Sequence, residues 1–467
     1  MGHKKMNIFD MVLFSVCGMV VLDTVGASAA MGVSSFTLWM IGILCFFLPY
    51  GLMCAELGSS FPQEGGIYVW VKNAYGDFFA HMTSWFFWIN NCFWIPSVFV
   101  LFTGILASIF FPQMSNLSQM IFGIVLIWIS MVVGIFDLKI SKWVPNIGAI
   151  FKISILLILG FFGLFFGLKN GFANEFSVQG LKVNWGDTLA YAGIVVFNFM
   201  GFDLVSTVGD QLNNPKKDIP RMIILAGLLT AGLYMFATYG LLCAIPQVDI
   251  NIVTGITDAF QVMFVQMVGT QFLWAFKLLS AAVLFTFVAN VITWAIAANN
   301  VMGQAGINKT TPAVFSHRYK RYGTPDYCYY IMGIISTVLL VGNYIGVENI
   351  AQIFWTLFAL SALIFLIPYL LVFPGVIILR KKYPDIERPY LIPGGKWGLY
   401  LSVFMGELFM LLTCIMFFIP PEDTTNVLRY ELSLIVLILI TTAVGVWMYL
   451  SGKKRSSFPV ENAKHQA

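Results

Sequence analysis

Charge is what this sequence has least of. Of its 467 residues, 10% are Asp, Glu, Lys or Arg, where a soluble domain carries about 25%. A chain this poor in charge is not built to keep a large surface in water. Histidine is scarcer, with four residues, and the seven cysteines at 17, 45, 54, 92, 243, 328 and 414 show no metal-ligand spacing. The thiols read as small buried hydrophobes, and no metal and no cofactor is expected. No loop is long enough to house a soluble domain, and no nucleophile–base pair stands out, so an enzyme is not expected. A dense basic patch beside a soluble fold is also missing, which argues against a nucleic acid partner. No cleavable signal peptide is expected. Lys4 and Lys5 precede an apolar run from Ile8, but the run contains Asp23, continues too far and leads straight into a second one.

Apolar residues take the place of the missing charge. They make up 59% of the chain, with 44 phenylalanines, and the mean hydropathy is +0.84. So much apolar surface calls for lipid. Runs near 8–33, 36–57, 80–110, 117–136, 145–168, 188–211, 221–245, 270–301, 328–345, 350–379, 398–420 and 430–450 each approach the ~20 residues that cross a bilayer. They lack the alternation of barrel strands. The expected fold is an all-α integral membrane protein of about twelve transmembrane helices.

The basic residues fall on one side of that topology. Lys72, Lys139, Lys142, Lys216, Lys217, Lys309, Arg318, Lys320, Arg321, Arg380, Lys381, Lys382, Arg388 and Lys396 share the side of the N-terminus, as does the basic tail. Lys169, Lys182 and Arg429 lie opposite. The bias predicts both termini in the cytoplasm and a multi-pass location in the cell's inner membrane. The expected division is a cytoplasmic N-terminus (1–7), a first five-helix repeat (8–168), a second (188–379), helices 11 and 12 (398–450) and a cytoplasmic tail (451–467).

The repeats rest on two matched segments. The first span holds VLDTVGASAAMG and the sixth holds NFMGFDLVSTVGD, each with glycines around an acid. Such segments predict interrupted helices, whose freed backbone groups serve a ligand or the protein. Breaks five spans apart point to a 5+5 inverted repeat with discontinuous helices 1 and 6 around a central solute site.

Acids in hydrocarbon are costly and usually face a cavity or a partner. Asp23 and Asp203 lie near the middle of their spans and are the leading candidates to bind a cationic amine or to gate the cycle. Gly201 marks the second break. Glu56 is expected to brace the end of the second span. Trp294, on a polar thread with Asn290 and Thr293, can wall a site by cation–π contact. Asn90 and Asn91 adjoin in the third span, so at least one must point into the protein. Tyr369, in the tenth span, completes the candidates.

These stretches resemble a known family. AAMGVSSFTLWMIGILCFFLPYGLMCAELGSSFPQEGGIYVWVKNAYGD, the Gly201-x-Asp203 segment with Pro215, Asp218 and Pro220 beyond it, and TWAIAANNVMG are similar to the amino acid–polyamine–organocation superfamily. Within it they resemble the bacterial glutamate/γ-aminobutyrate antiporters, over about residues 7–450. The resemblance implies alternating access and exchange of a decarboxylase substrate for its product, which would serve acid resistance. It places Gly26, Ala27 and Ser28 in the first break as backbone donors, the sixth-helix acid on Asp203 and the eighth-helix aromatic on Trp294. Two acids with no evident embedded Lys or Arg favour agmatine/putrescine exchange. Tyrosine/tyramine and glutamate/γ-aminobutyrate exchange, proton-coupled amino acid import and a channel or sensor stay open. The expected partners are small amine or amino acid solutes, protons and the lipid bilayer, with the protein acting as a monomer or dimer.

Overall fold

A computed structural model describes residues 8–63, 65–136, 143–183, 185–204, 214–346, 350–420 and 427–456. Every described element is helical. Nine helices among the described residues are long and apolar enough to cross a membrane, and two shorter apolar helices, Tyr191–Leu204 and Asp326–Gly342, accompany them. The molecule is an all-α, multi-spanning membrane protein.

The chain begins with α1 (Ile8–Met19), which stops at Val20 and Val21, resumes as a 3-10 turn over Leu22–Thr24 and continues as the short α2 (Val25–Ala30). The second span joins α3 (Ser35–Gly42) to α4 (Leu48–Ser60) through a π turn at Ile43–Phe47. Pro49 explains the join, since it has no N–H to continue the regular ladder. One extra residue in the turn rotates the faces of α4 by roughly 100° on a 3.6-residue helix. The short α5 (Ile67–Tyr75) then leads to α6 (Asp77–Phe110), α7 (Asn116–Ile135) and α8 (Trp143–Asn170).

The sixth span starts as α9 (Trp185–Phe197) and breaks at Asn198–Gly201 before a 3-10 turn at 202–204. Beyond it come α10 (Pro215–Ala244), α11 (Gly255–Met267), α12 (Leu273–Ile307), α13 (Asp326–Gly346), α14 (Ile350–Leu366), α15 (Tyr369–Lys382), α16 (Gly395–Met416) and α17 (Val427–Ser456). Both interruptions thus fall in the spans expected to break. The first lies at Val20–Thr24, upstream of the expected Gly26–Ser28, which are helical residues of α2. Val20 and Val21 leave the helix where side chains from other spans take over their backbone groups.

Packing sorts the helices. α6 and α12 are the most enclosed, with α6 lying along α14 and α12 against both α6 and α8. α16 and α17 lie outside and turn Leu401, Phe404, Leu411, Ile415, Leu428, Leu439 and Ile440 outward. Continuous apolar faces of this kind suit hydrocarbon. Lipid supplies no hydrophobic drive between spans, so close backbone contact matters. α8 and α10 touch at Gly163 and Gly240. A Cβ at Gly163 would sit 2.1 Å from the Gly240 carbonyl oxygen, and one at Gly240 would sit 2.2 Å from that of Leu159.

Candidate solute site

The break in the first span frees backbone groups in the middle of the bundle, and each needs a partner. Three buried side chains from three other spans, with Thr24 of the break itself, provide them. Lys152 of α8 donates to the carbonyls of Cys17 and Val20. Trp294 Nε1 of α12 donates to Gly18 O at 3.0 Å. Tyr234 of α10 accepts from Val21 N at 2.6 Å and lies 3.1 Å from Met19 O. Thr24 Oγ1 lies 2.9 Å from Val21 O and 2.6 Å from Asn198 Oδ1, while Asn198 Nδ2 reaches Ser28 Oγ at 3.4 Å. Asn198, fully buried at the second break, therefore wires the two breaks together.

Gly201 makes that approach possible. Its φ of +112° lies where L side chains are strained. A Cβ there would come within 3.1 Å of Met19 Cγ and 3.5 Å of the Trp294 ring.

Between the breaks and α6 lies a cavity of about 20 Å³, room for about one water molecule. Its aromatic wall is Trp94, Phe197, Trp294 and Phe365; Val21, Met200, Asn90 and Asn91 complete it. The Trp294 ring meets Phe365 edge-on at 5.3 Å and Trp94 at 6.3 Å. The two asparagines are oriented by chemistry. Asn90 Nδ2 donates to the carbonyls of Phe86 and Phe87, and Asn91 Nδ2 to Phe87 O at 2.9 Å. Only the amide nitrogen can donate to a carbonyl, so each side chain keeps its Oδ1 as the end not committed to the helix. Asn91 Oδ1 and Trp94 Nε1 are buried without a hydrogen-bond partner. No acid appears in this wall, and the Asp23 side chain lies outside the described residues.

Asp203 does not line the cavity. It is fully buried one step below, where Tyr50 Oη donates to Oδ1 at 2.7 Å and Tyr369 Oη reaches both oxygens at 3.0 Å. Tyr369 follows Phe365 by one turn, with the rings 5.1 Å apart. In this closed arrangement two phenols from the second and tenth spans occupy its carboxylate.

Those two spans meet again at the basic end of the bundle. Glu56, 1% exposed, receives Arg380 Nε at 2.7 Å, Arg380 NH2 at 2.6 Å and Ile392 N at 2.9 Å. The fork-to-carboxylate geometry is the strong form of ion pair, so Glu56 does brace the end of its helix. At the opposite end, the segment around 246–255 covers α2. Gln247 Nε2 donates to Ala30 O at 3.2 Å, and a Cβ on Gly26 would lie 2.9 Å from Ile252 O. Gly26, Ala27 and Ser28 are buried, with Gly26 turned to this cover. Among the described residues the site is closed toward both ends.

Of the sequence candidates, the structure brings Asn90, Asn91 and Trp294 into the cavity wall, sets Gly201 at the crossing, and pairs Asp203 with Tyr369 beneath it. Lys152 corrects a further expectation, because a basic side chain is embedded at the first break. Tyr50, Asn198 and Tyr234 were also missed. Their sequence signal is a polar residue in an apolar span, which does not reveal a backbone partner far along the chain.

A closed polar–aromatic cavity at the crossing of two broken helices in a multi-spanning bundle is the architecture of a carrier site. The chain belongs to the amino acid permease family, which it matches over residues 6–444, and is a membrane transporter of the amino acid–polyamine–organocation superfamily. It is similar to a probable agmatine/putrescine antiporter of Lactococcus lactis subsp. lactis (strain IL1403), with 30% identity over 95% of this chain and 94% of that protein. It is 27% identical to an uncharacterized transporter of Legionella pneumophila subsp. pneumophila over 93% of this chain and 95% of that one. A glutamate/gamma-aminobutyrate antiporter of the same Lactococcus lactis strain is 24% identical over 100% of this chain and 94% of its own length. No group of three or more His, Cys, Asp or Glu is placed to hold a metal among the described residues.

Proposed function

We propose that this protein is an antiporter that exchanges agmatine for putrescine across the inner membrane. In this reading two inverted five-helix repeats, 8–168 and 188–379, surround the site, helices 11 and 12 flank them, and both termini are cytoplasmic. The observation that carries the substrate class is the cavity wall. Aromatic faces attract an organic cation, by about 0.5–2 kcal/mol per contact. The uncommitted carbonyl oxygens of Asn90 and Asn91 accept its N–H groups, and among the described residues no basic side chain stands in the wall to repel it. The relative whose printed name is an agmatine/putrescine antiporter supports the same pair.

At about 20 Å³ the cavity is too small for either amine, so binding must part Phe197, Phe365 and Trp294. Release toward the basic end must undo the contacts of Tyr50 and Tyr369 with Asp203. Release at the other end must lift the 246–255 segment from α2. Exchange follows if the empty site crosses slowly and the loaded site quickly, because a bound solute then carries the site both ways. Asp203 is the group on which solute occupancy and gate opening meet.

One observation favours a second reading. The Trp94 Nε1–H has no partner, and a diamine has no acceptor to offer it. A zwitterionic amino acid would bring a carboxylate to it. Competition against labelled agmatine uptake in proteoliposomes decides between them. Under the diamine reading, putrescine and other short diamines compete at concentrations where glutamate, γ-aminobutyrate and tyrosine have no effect. Strong competition by an amino acid with none by putrescine would replace the substrate assignment.

A further inference from the structure

At the basic end of the bundle several basic side chains are held by carboxylates. Arg380 grips Glu56, with Arg388 3.9 Å away, Lys72 faces Asp77 at 3.4 Å, and His317 Nδ1 lies 2.7 Å from Asp326 Oδ1. Lys320 and Arg321 differ. Both are exposed, and neither pairs with a carboxylate among the described residues.

Their loop is firmly built. Tyr319 N donates to Thr324 O and Gly323 N to Tyr319 O, each at 2.8 Å, and Gly323 takes a φ of +70° to close the turn. Thr324 Oγ1 ties the turn to Ile135 O at the end of α7, and Tyr322 meets Phe136 edge-on at 5.9 Å. The Arg321 guanidinium lies 5.2 Å over the Tyr322 ring. Two cations are thus held over the junction of α7 and α13 on a braced hairpin.

The surface below that junction changes polarity in order. On α13, Tyr327, Tyr330, Ile334 and Val338 fall at three- and four-residue steps on one outward face, and all are exposed. On the adjoining α7, Ile129 and Val132 are exposed as well, as is Phe136 just past its end. Away from the cations the order is therefore charge, then tyrosine, then aliphatic side chain. A phospholipid has the same sequence of phosphate, glycerol ester and acyl chain. Tyrosine belongs at the headgroup level of a membrane helix, and basic side chains beside it attract anionic lipid.

We infer that Lys320 and Arg321, with Tyr327 and Tyr330 beneath them, form a binding site for one anionic phospholipid whose acyl chains lie along the outer faces of α7 and α13. The occupant is a lipid rather than a soluble phosphate, because the aliphatic stripe continues directly from the cationic turn. This site is separate from the solute cavity and does not depend on which solute is carried.

Native mass spectrometry of the purified full-length protein tests it, with phosphatidylglycerol or phosphatidylcholine titrated into the detergent. The wild type should retain phosphatidylglycerol in preference to phosphatidylcholine, and inorganic phosphate should not displace it. Lys320→Gln with Arg321→Gln should weaken that retention about 30-fold, the loss expected of two basic side chains at a headgroup. Lys169→Gln with Lys182→Gln, an equal charge loss at the other end of the bundle, should leave it unchanged. Each preparation should elute as a single folded species. Equal retention by the two double variants, no preference for the anionic lipid, or displacement by phosphate would overturn the inference. Solute counterflow need not be measured, so failure here is distinct from failure of the proposed exchange.

Discussion

Trp294 has two duties that single substitutions can separate. Its ring forms part of the cavity wall, and its Nε1–H satisfies Gly18 O at the break. Trp294→Phe keeps an aromatic face and gives up the hydrogen bond. Trp294→Leu gives up both. Competition assays should show the Leu variant about tenfold weaker for the amine than the Phe variant, within the range of one cation–π contact. Equal losses would mean that the ring face does not meet the solute. A second residue-scale prediction concerns Asp203. Tyr50→Phe and Tyr369→Phe each remove a phenol from its carboxylate, and each should cost about 1–3 kcal/mol of stability. Each should also be strongly non-additive with Asp203→Asn, since the pair forms one network. Thermal unfolding of the purified variants measures both effects, and additive losses would show that the phenols and Asp203 act independently.

At the scale of single helices, the interruption of the first span stands on borrowed partners. Lys152→Met keeps much of the side-chain volume but strands the carbonyls of Cys17 and Val20. An unsatisfied buried acceptor costs about 1–3 kcal/mol, so the variant should unfold at a lower temperature and lose exchange activity. The α8–α10 contact makes a test with an internal control. Gly240→Leu drives a side chain into the α8 backbone, whereas a Cβ at Gly232 on the same helix meets nothing within 4 Å. Only the first should depress thermal stability, by about 1–3 kcal/mol of overpacking or more. Similar behaviour of the two would show that close backbone packing does not hold these helices together.

The same helices show which parts of the molecule can be read from its sequence. Hydropathy is enough to find the nine long apolar helices among the described residues, because the requirement is long and one-dimensional. Gly201 and its neighbours marked the second break because a positive φ favours one residue type. The first break was legible as a segment, VLDTVGASAAMG, but not to the residue. Whether Val20 or Gly26 leaves the helix depends on Lys152 and Tyr234, which approach from spans 132 and 213 residues away in sequence. For the same reason nothing in the sequence marks Lys152 as an embedded charge, although it is 1% exposed. Asp203 was legible as a special position, but its partners were not. The π turn before α4 sets the face that Tyr50 presents, and a one-residue change in helical register leaves no mark in composition.

At the scale of the whole molecule, a site closed at both ends has to open to one end at a time. The closure at the basic end joins α4 and α15 to Asp203 and joins them again at Glu56 and Arg380. The closure at the opposite end is the 246–255 segment over α2. A carrier that moves only when loaded predicts exchange without net uptake. The most direct test is counterflow in proteoliposomes, measuring labelled agmatine uptake into vesicles preloaded with putrescine and into vesicles holding buffer alone. The account predicts rapid, saturable uptake in the first case and almost none in the second. Equal uptake in both would contradict obligatory exchange and make this protein a uniporter or symporter built on the same bundle.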